Sequence, residues 1–294
     1  MIGTSDGRVI IVGAGPVGLT LALALGRAAV PVTVLERRTK PRNTSRAIGI
    51  TPASLEIFQR YGVADALIAA GTHVTDPVIR DERGVVATVH FRALPSEYHF
   101  ILALPQQQTE QILRDAVAHL PTVQTVYGFE VQDIAAEERE GSARAARVTA
   151  TGIFRPGDTE SFVEGVAGPP PEGAATPVAG TRPIPPPGSP AAPSASPPPA
   201  GATAPAEHRF TGSALCGCDG KHSTVRSFLG TPWRGSTLRK TFIMADIVDN
   251  TDLGDAAHLF FTPTGSVEAF PLPGGVRRWI AQTDEWYPQP PDRL

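Results

Sequence analysis

The sequence predicts an α/β protein in which a parallel strand–helix–strand unit is interleaved with a mostly antiparallel sheet. Near the N-terminus, an apolar run at residues 9–12 precedes a glycine-rich turn, an apolar helical stretch at 17–30 and a second apolar run at 32–35. This order is typical of a strand, a helix and a parallel strand. After residue 230, short strand-like segments alternate with tight turns such as PTGS and PGG, which indicates an antiparallel sheet.

Composition excludes several classes of protein. The 294 residues are enough for about two domains, and the net charge of −3 gives no electrostatic footprint for nucleic acid. Two cysteines cannot build a disulfide framework or a cysteine zinc site, and the metal motif HExxH does not occur, so we expect no metal. The absence of GxSxG argues against serine-hydrolase chemistry. The uncharged stretch at 9–26 is interrupted by glycines and lacks a preceding basic segment. We therefore expect a cytoplasmic protein that contacts no membrane.

The middle of the chain carries weaker signals. TPASLEIFQRYGV predicts a helix with Pro52 in its first turn, and residues 108–120 show helical periodicity. Residues 72–98 and the segments VQTVYGFEVQDI and ARVTATGIF predict strands. Residues 165–206 contain 14 of the 30 prolines and neither an aromatic residue nor a leucine, which predicts a disordered insertion within one domain. A proline-rich ligand for another protein is the alternative role of this segment.

GAGPVG, residues 13–18, lies between the first strand and the first helix. Gly13 permits a tight turn, Gly15 lets the backbone approach a pyrophosphate, and Gly18 lets the helix pack closely on the strand. Glu36 follows the second strand, where its carboxylate can accept hydrogen bonds from an adenosine ribose. The motif predicts a dinucleotide site and leaves both FAD and NAD open; a glycine-rich turn without a ligand is the alternative. The predicted contacts here are Gly13, Ala14, Gly15, Pro16, Val17, Gly18, Glu36 and Arg37.

Three further segments favour FAD by resemblance. SRAIGITPASLEIFQRYGV, LPQQQTEQILRD and CDGKHSTVRSFLG resemble, in this order, the FAD-dependent aromatic hydroxylases of the para-hydroxybenzoate hydroxylase type. The resemblance runs from about residue 9 to residue 282, apart from the proline-rich insertion. It implies an FAD/NAD(P)-binding Rossmann-like domain of the glutathione-reductase type with an interleaved antiparallel sheet that binds the substrate. The expected FAD-binding domain is 1–71 with 104–230, and the expected substrate domain is 72–103 with 231–294.

The resemblance also assigns individual residues. It places Arg46 near the flavin and nicotinamide phosphates, Gln106 against the flavin side chain, and Asp219 and Gly220 in a motif tied to both nucleotides. These chemistries suit the roles, because a guanidinium binds phosphate oxygens in pairs and an amide both donates and accepts. Each residue has a plainer alternative: a surface ion pair for Arg46, a helix cap for Gln106, and an ordinary turn residue for Asp219.

The resemblance implies an FAD-dependent monooxygenase of aromatic or polyketide-like compounds. In such enzymes NADPH or NADH binds transiently and reduces the flavin. O₂ then adds to give a peroxyflavin, and one oxygen atom is transferred to an electron-rich ring. No protein nucleophile is needed, so the catalytic chemistry lies with the cofactor. Two alternatives remain: a flavin oxidoreductase that does not hydroxylate, and a truncated flavin-binding chain that complements a second polypeptide.

The string LGDAAH, residues 253–258, matches the letters of the family's second flavin motif. That motif follows a buried strand and opens a long helix, whereas here DIVDNTDL precedes the string and LFFTPTGSVEAFPLPGG follows it. The surroundings predict a connection between two strands of the substrate sheet. We therefore expect the true motif to lie beyond residue 294, in a second chain or a longer one.

Overall fold

The computed structural model describes residues 7–40, 47–138, 145–155, 163–164, 206–236 and 238–283. The chain divides into two compact units: unit 1 is Met1–Lys40 with Ala118–Thr231, and unit 2 is Pro41–Val117 with Pro232–Leu294. This division places residues 41–71 and 104–117 in unit 2, whereas the sequence places them in the FAD-binding domain, so those domain boundaries stay a prediction. The expected insertion at 165–206 lies outside the described residues, apart from Ala206.

The described residues of unit 1 form two sheets and two helices. Its elements are β1 (Val9–Val12), α1 (Pro16–Arg27), β2 (Val32–Glu36), β8 (Val123–Tyr127), β9 (Phe129–Glu138), β10 (Ala145–Phe154), β11 (Val163–Glu164), β12 (Glu207–Gly212), β13 (Ala214–Gly217) and α5 (Thr224–Phe228). The first sheet has the order β11-β8-β2-β1-β13, in which β8, β2, β1 and β13 are parallel. The second has the order β12-β10-β9 and is antiparallel.

The parallel sheet forms where the sequence predicts it. Every residue of β2 is buried, as expected for a strand inside a parallel sheet whose two faces are both covered. The antiparallel sheet packs against it, because Phe129 and Ile134 lie in one buried cluster with Ile10, Val12 and Leu35 of the parallel sheet. Within its own sheet, Phe129 makes edge-to-face contacts with Phe154 and Phe210 at centroid distances of 5.2 and 4.9 Å. The two sheets therefore share one core, and the predicted Rossmann-like fold is confirmed.

In the described part of unit 2, most neighbouring strands pair antiparallel. Its elements are β3 (Gly49–Ile50), α2 (Pro52–Arg60), α3 (Ala64–Ala70), β4 (Thr72–Val74), β5 (Val78–Asp81), β6 (Gly84–Thr88), a 3₁₀ turn (Phe91–Ala93), β7 (Ile101–Ala103), α4 (Gln106–Ala118), β14 (Thr241–Val248), β15 (His258–Thr262), β16 (Gly265–Leu272) and β17 (Val276–Thr283). A six-stranded sheet has the order β14-β17-β16-β15-β5-β6, in which β5 and β15 pair parallel, and a small sheet has the order β3-β7-β4. Residue 118, at the end of α4, is counted with unit 1.

Helix α2 begins where local capping chemistry predicts. Thr51 caps α2, because its side chain accepts a hydrogen bond from the Ser54 N–H and Pro52 occupies the first turn. The two sheets of the unit meet in a core of Ile48, Val74 and Ala103 with Ala257 and Leu272. In the described part of the chain, no helix is long and apolar enough to cross a membrane.

Candidate functional site

The glycine-rich turn joins β1 to α1 in unit 1. Gly13 has φ +103°, and a Cβ atom there would lie 2.4 Å from the Cys218 carbonyl oxygen. A Cβ atom at Gly18 would lie 1.9 Å from the Gly13 carbonyl oxygen, whereas one at Gly15 would meet nothing within 4 Å. Gly13 and Gly18 are therefore required for close packing, and Gly15 leaves open space beside the turn. Gly15 is the N-cap of α1 and makes no side-chain capping bond, so the geometry suits a phosphate ligand.

Glu36 at the end of β2 is bound directly to this turn. Its carboxylate accepts a hydrogen bond from the Ala14 N–H at 2.8 Å and is only 5% exposed. Arg38 donates to the same carboxylate through its backbone N–H at 2.9 Å, its Nε at 2.8 Å and its Nη2 at 3.2 Å. Burial alone would raise the pKa of Glu36, but the hydrogen bonds and charge of Arg38 and the Ala14 N–H together hold it below its ordinary value.

These contacts leave the Glu36 carboxylate little free capacity to accept further hydrogen bonds. A carboxylate offers about four acceptor sites, and the four hydrogen bonds from Ala14 and Arg38 occupy that number. A ribose diol would therefore replace donors of Arg38, whose side chain is 25% exposed, rather than the buried Ala14 N–H. Arg37, the neighbouring predicted contact, is exposed. Arg38 was not among the predicted contacts, although it stands two residues after the carboxylate that ends β2.

The loop after β13 lies against the same turn. The Cys218 N–H donates to the Val12 carbonyl at 2.8 Å, which brings Asp219 and Gly220 to the end of β1. Asp219 accepts hydrogen bonds from the Ser223 hydroxyl at 2.5 Å and the Thr224 N–H at 2.7 Å. Its carboxylate thus holds the loop to the start of α5. Gly220 has φ +82° and open space at its Cβ position.

The remaining predicted residues lie elsewhere. Gln106 is the first residue of α4 in unit 2, where its N–H donates to the Ala47 carbonyl at 3.0 Å and its side-chain amide donates to Glu110 at 2.8 Å. Arg46 lies outside the described residues. The structure therefore brings together, within unit 1, the turn at residues 13–18, the carboxylate of Glu36 and the loop of Asp219 and Gly220. Their contacts with a nucleotide stay a prediction.

LGDAAH connects β14 to β15 in the six-stranded sheet, as its sequence surroundings predict. Arg277 on β17 is fully buried and holds the connection, because it donates to the Gly254 carbonyl, to the Ala256 carbonyl at 3.1 Å and to the Asp249 carboxylate at 2.8 Å. The string is followed by a strand and not by a helix, so it supplies no helix N-terminus for a pyrophosphate.

His258, the last residue of that string, is part of the same structural connection. Its Nδ1 accepts a hydrogen bond from Arg80 on β5 at 3.2 Å, which leaves its Nε2 to donate to the Leu253 carbonyl at 3.2 Å. Burial lowers the pKa of His258, and the charges of Arg80 and Arg277 lower it further, against the opposing effect of the Leu253 carbonyl. The ring is therefore neutral at pH 7 and serves to join β5 to the connection.

Unit 2 contains an apolar pocket of about 400 Å³ that the sequence did not reveal. It lies over the face of the six-stranded sheet that the small sheet covers, and its volume is within the range of small-molecule sites. One lining residue, Glu268 on β16, carries a charge. The lining residues are Ile48, Gly49, Val74, Pro77, Ile79, Val89, Phe91, Ile101, Ala103, Ala257, Leu259, Glu268, Phe270 and Ile280.

A Rossmann-like unit with a glycine turn and an acidic strand end defines a dinucleotide-binding protein. The family model described as FAD binding domain matches residues 6–153, about half of the chain. The chain belongs to this FAD-binding family, and FAD is its cofactor; its motifs resemble those of the FAD-dependent aromatic hydroxylases.

Several proteins similar to the chain are named as monooxygenases. It is 32% identical over 273 residues to 6-methylpretetramide 4-monooxygenase of Streptomyces rimosus, a match that covers 92% of this chain and 39% of the relative. Its fold is similar to p-nitrophenol 4-monooxygenase PnpA of Pseudomonas putida DLL-E4 (TM-score 0.71, 20% identity, 97% of this chain and 58% of that one). It is also similar to the flavin-dependent monooxygenase PieE in complex with FAD and substrate (TM-score 0.65, 21% identity, 99% and 44%). The chain thus spans well under two thirds of each of these proteins.

Proposed function

We propose that the protein is an FAD-dependent, NAD(P)H-using monooxygenase that hydroxylates an aromatic or polyketide-like small molecule. The observation that carries the proposal is the pairing of a nucleotide-type glycine turn in unit 1 with a largely apolar pocket in unit 2. The first feature suits a dinucleotide cofactor and the second suits a ring compound. Most of the curated relatives are named as monooxygenases or hydroxylases, which supports the same reaction class, although one of them is a dialkyldecalin synthase.

Several residues of unit 1 would hold the cofactor. The turn at residues 13–18 and the N-terminus of α1 would face the pyrophosphate, and Glu36 would accept hydrogen bonds from the adenosine ribose. The loop of Asp219 and Gly220 lies beside that turn, with its backbone fixed by α5. By resemblance, Arg46 and Gln106 would add a phosphate and a flavin contact. The bound flavin would accept a hydride from NADPH or NADH and activate O₂.

The protein's own part is to bind the substrate and to exclude water. Apolar side chains from both sheets of unit 2 form the pocket wall, so a bound ring would be surrounded by hydrocarbon rather than by solvent. No side chain needs to act as a nucleophile, because the cofactor supplies the reactive oxygen. The apolar wall of the pocket would therefore select which ring compounds bind.

Substrate-dependent turnover tests this proposal. The purified chain, supplied with FAD and NADPH or NADH, should consume the reduced nucleotide faster when a phenolic aromatic compound is present, with formation of a hydroxylated product. A flavin oxidoreductase that does not hydroxylate would consume the nucleotide and give no such product, which would overturn the proposal. The same assay should be repeated with a second polypeptide that carries the part of the relatives this chain does not match. We propose such a polypeptide as a partner, and the cytoplasm as the location.

A further inference from the structure

Glu268 occupies an unusual position in the pocket wall. On β16 it lies opposite Leu259 of β15 and Ile280 of β17, so its flanking neighbours in the sheet are apolar. Across the described part of the chain, no side chain or backbone group forms a hydrogen bond or ion pair with its carboxylate. A carboxylate next to hydrocarbon loses part of its hydration, and this cost is recovered only when a donor binds it.

The sheet contains a cation on the same face, but that cation is already engaged. Arg278 lies diagonal to Glu268 across β16 and β17, and alternation along the strands places both side chains on one face. Arg278 donates through its Nε at 2.6 Å and its Nη2 at 2.7 Å to Asp246 on β14. This ion pair neutralises Asp246. Two groups on this face have no partner among the described residues, the buried Nη1 of Arg278 and the carboxylate of Glu268, and Glu268 lines the pocket, where a ligand can reach it.

We propose that Glu268 is a specificity-determining residue that accepts a hydrogen bond from a hydroxyl group on the substrate ring. The inference rests on the proposed function, because it assumes that the pocket binds an aromatic or polyketide-like compound. Glu268 is half-buried, and a ring bound in the pocket would cover it further. An analogue that lacks the matching donor would remove water from the carboxylate without giving it a partner, so the site would reject it. The pocket would therefore prefer a phenol or enol over the corresponding O-methyl ether.

Binding of two matched probes tests this inference without turnover or flavin. 2-Naphthol and 2-methoxynaphthalene share a ring system, but only the first can donate a hydrogen bond. The wild-type chain should bind 2-naphthol about tenfold more tightly in a fluorescence titration, which corresponds to one hydrogen bond to a charged group. In Glu268→Leu the preference should disappear while 2-methoxynaphthalene still binds, which shows that the pocket has kept its fold. Glu268→Gln should retain part of the preference, because its amide oxygen still accepts.

The control is Glu82→Gln, which changes an exposed carboxylate in the turn between β5 and β6 and should leave both affinities unchanged. A wild-type chain with no preference, or a Glu268→Leu variant that keeps it, would overturn the inference and leave the monooxygenase proposal standing. Failure to bind either probe would overturn it as well. Absence of hydroxylated product alongside a Glu268-dependent preference would instead count against the proposed reaction.

Discussion

Replacing Glu36 with glutamine should weaken FAD binding while leaving the fold intact. The carboxylate accepts hydrogen bonds on both oxygens, from the Ala14 N–H and from Arg38. A glutamine keeps one oxygen that accepts hydrogen bonds. Its NH₂ group replaces the other oxygen and cannot accept the hydrogen bond that Ala14 or Arg38 donates there. Because the Arg38 side chain is partly exposed and Ala14 is buried, we expect the oxygen to stay on Ala14 and the amide nitrogen to displace Arg38.

The magnitude follows from the charge that is lost. A hydrogen bond to a charged group contributes about 1.5–3 kcal/mol, against about 0.5–1.5 kcal/mol for a neutral one. The difference of roughly 1–1.5 kcal/mol would weaken the ribose contact by about five- to tenfold. Glu36→Ala, which removes the acceptor altogether and leaves the Ala14 N–H without its partner, should weaken FAD binding by more than tenfold.

Quenching of flavin fluorescence during a titration with FAD measures this effect directly. The thermal midpoint of each flavin-free variant should be recorded as well, because it separates lost binding from lost folding. Glu137→Gln is the matched control: it changes an exposed carboxylate on β9 of the same unit and should bind FAD as the wild type does. An unchanged FAD affinity in both Glu36→Gln and Glu36→Ala would refute the assignment of the ribose site.

Three further predictions concern the connection at 253–258 and the proline-rich segment. Asp255→Ala should leave FAD affinity unchanged, because Asp255 is exposed in a connection within the six-stranded sheet. Arg277→Met should lower the free energy of unfolding by at least ~2 kcal/mol in urea denaturation, because it leaves the carbonyls of Gly254 and Ala256 without their donor. Deleting residues 168–205 should leave the thermal midpoint nearly unchanged, because the composition predicts little buried apolar surface and loop-closure entropy grows slowly with length.

Control variants and refuting results can be named for these three predictions. Asp252→Ala serves as the control for Asp255→Ala, and a selective tenfold loss of FAD affinity in the latter would restore LGDAAH as a flavin motif. Arg83→Met, at an exposed turn position, is the control for Arg277→Met, and equal stabilities of the two variants would contradict the role of Arg277. A large fall in the thermal midpoint on deletion would show that residues 168–205 pack against the fold.

The features that the sequence predicted are local ones. The unit at residues 9–36 combines strand-length apolar runs, required glycines and a strand-end carboxylate, and each signal lies within a few residues of the element that it predicts. LGDAAH was assigned correctly for the same reason, since the short apolar run and the turn that follow it are visible in the sequence. Sequence pattern therefore predicted the elements whose structure is determined by residues close together in the chain.

The pocket could not be predicted, because its wall is assembled from residues as distant in sequence as Ile48 and Ile280. Pairing of β5 with β15 places Ile79 beside Leu259, and no local pattern reports that register. The contacts of Asp219 could be predicted in part, because Ser223, four residues later, is a residue type that often caps helix N-termini. In the structure the Ser223 hydroxyl donates to Asp219 and accepts from the Arg226 N–H, so both side chains hold the start of α5. The sequence motif favoured a cofactor role for Asp219, while its described hydrogen bonds stabilise the loop.

Oxygen transfer is the central claim, and labelling with ¹⁸O₂ tests it most directly. The protein is incubated with FAD, reduced nicotinamide nucleotide and a phenolic aromatic compound that binds the pocket, and the product is analysed by mass spectrometry. If one oxygen atom of O₂ is transferred to the ring, the hydroxylated product should carry one ¹⁸O atom when ¹⁸O₂ is supplied. It should carry no label when H₂¹⁸O is supplied with unlabelled O₂. Nucleotide oxidation without labelled product, or a product whose new oxygen comes from water, would contradict this claim.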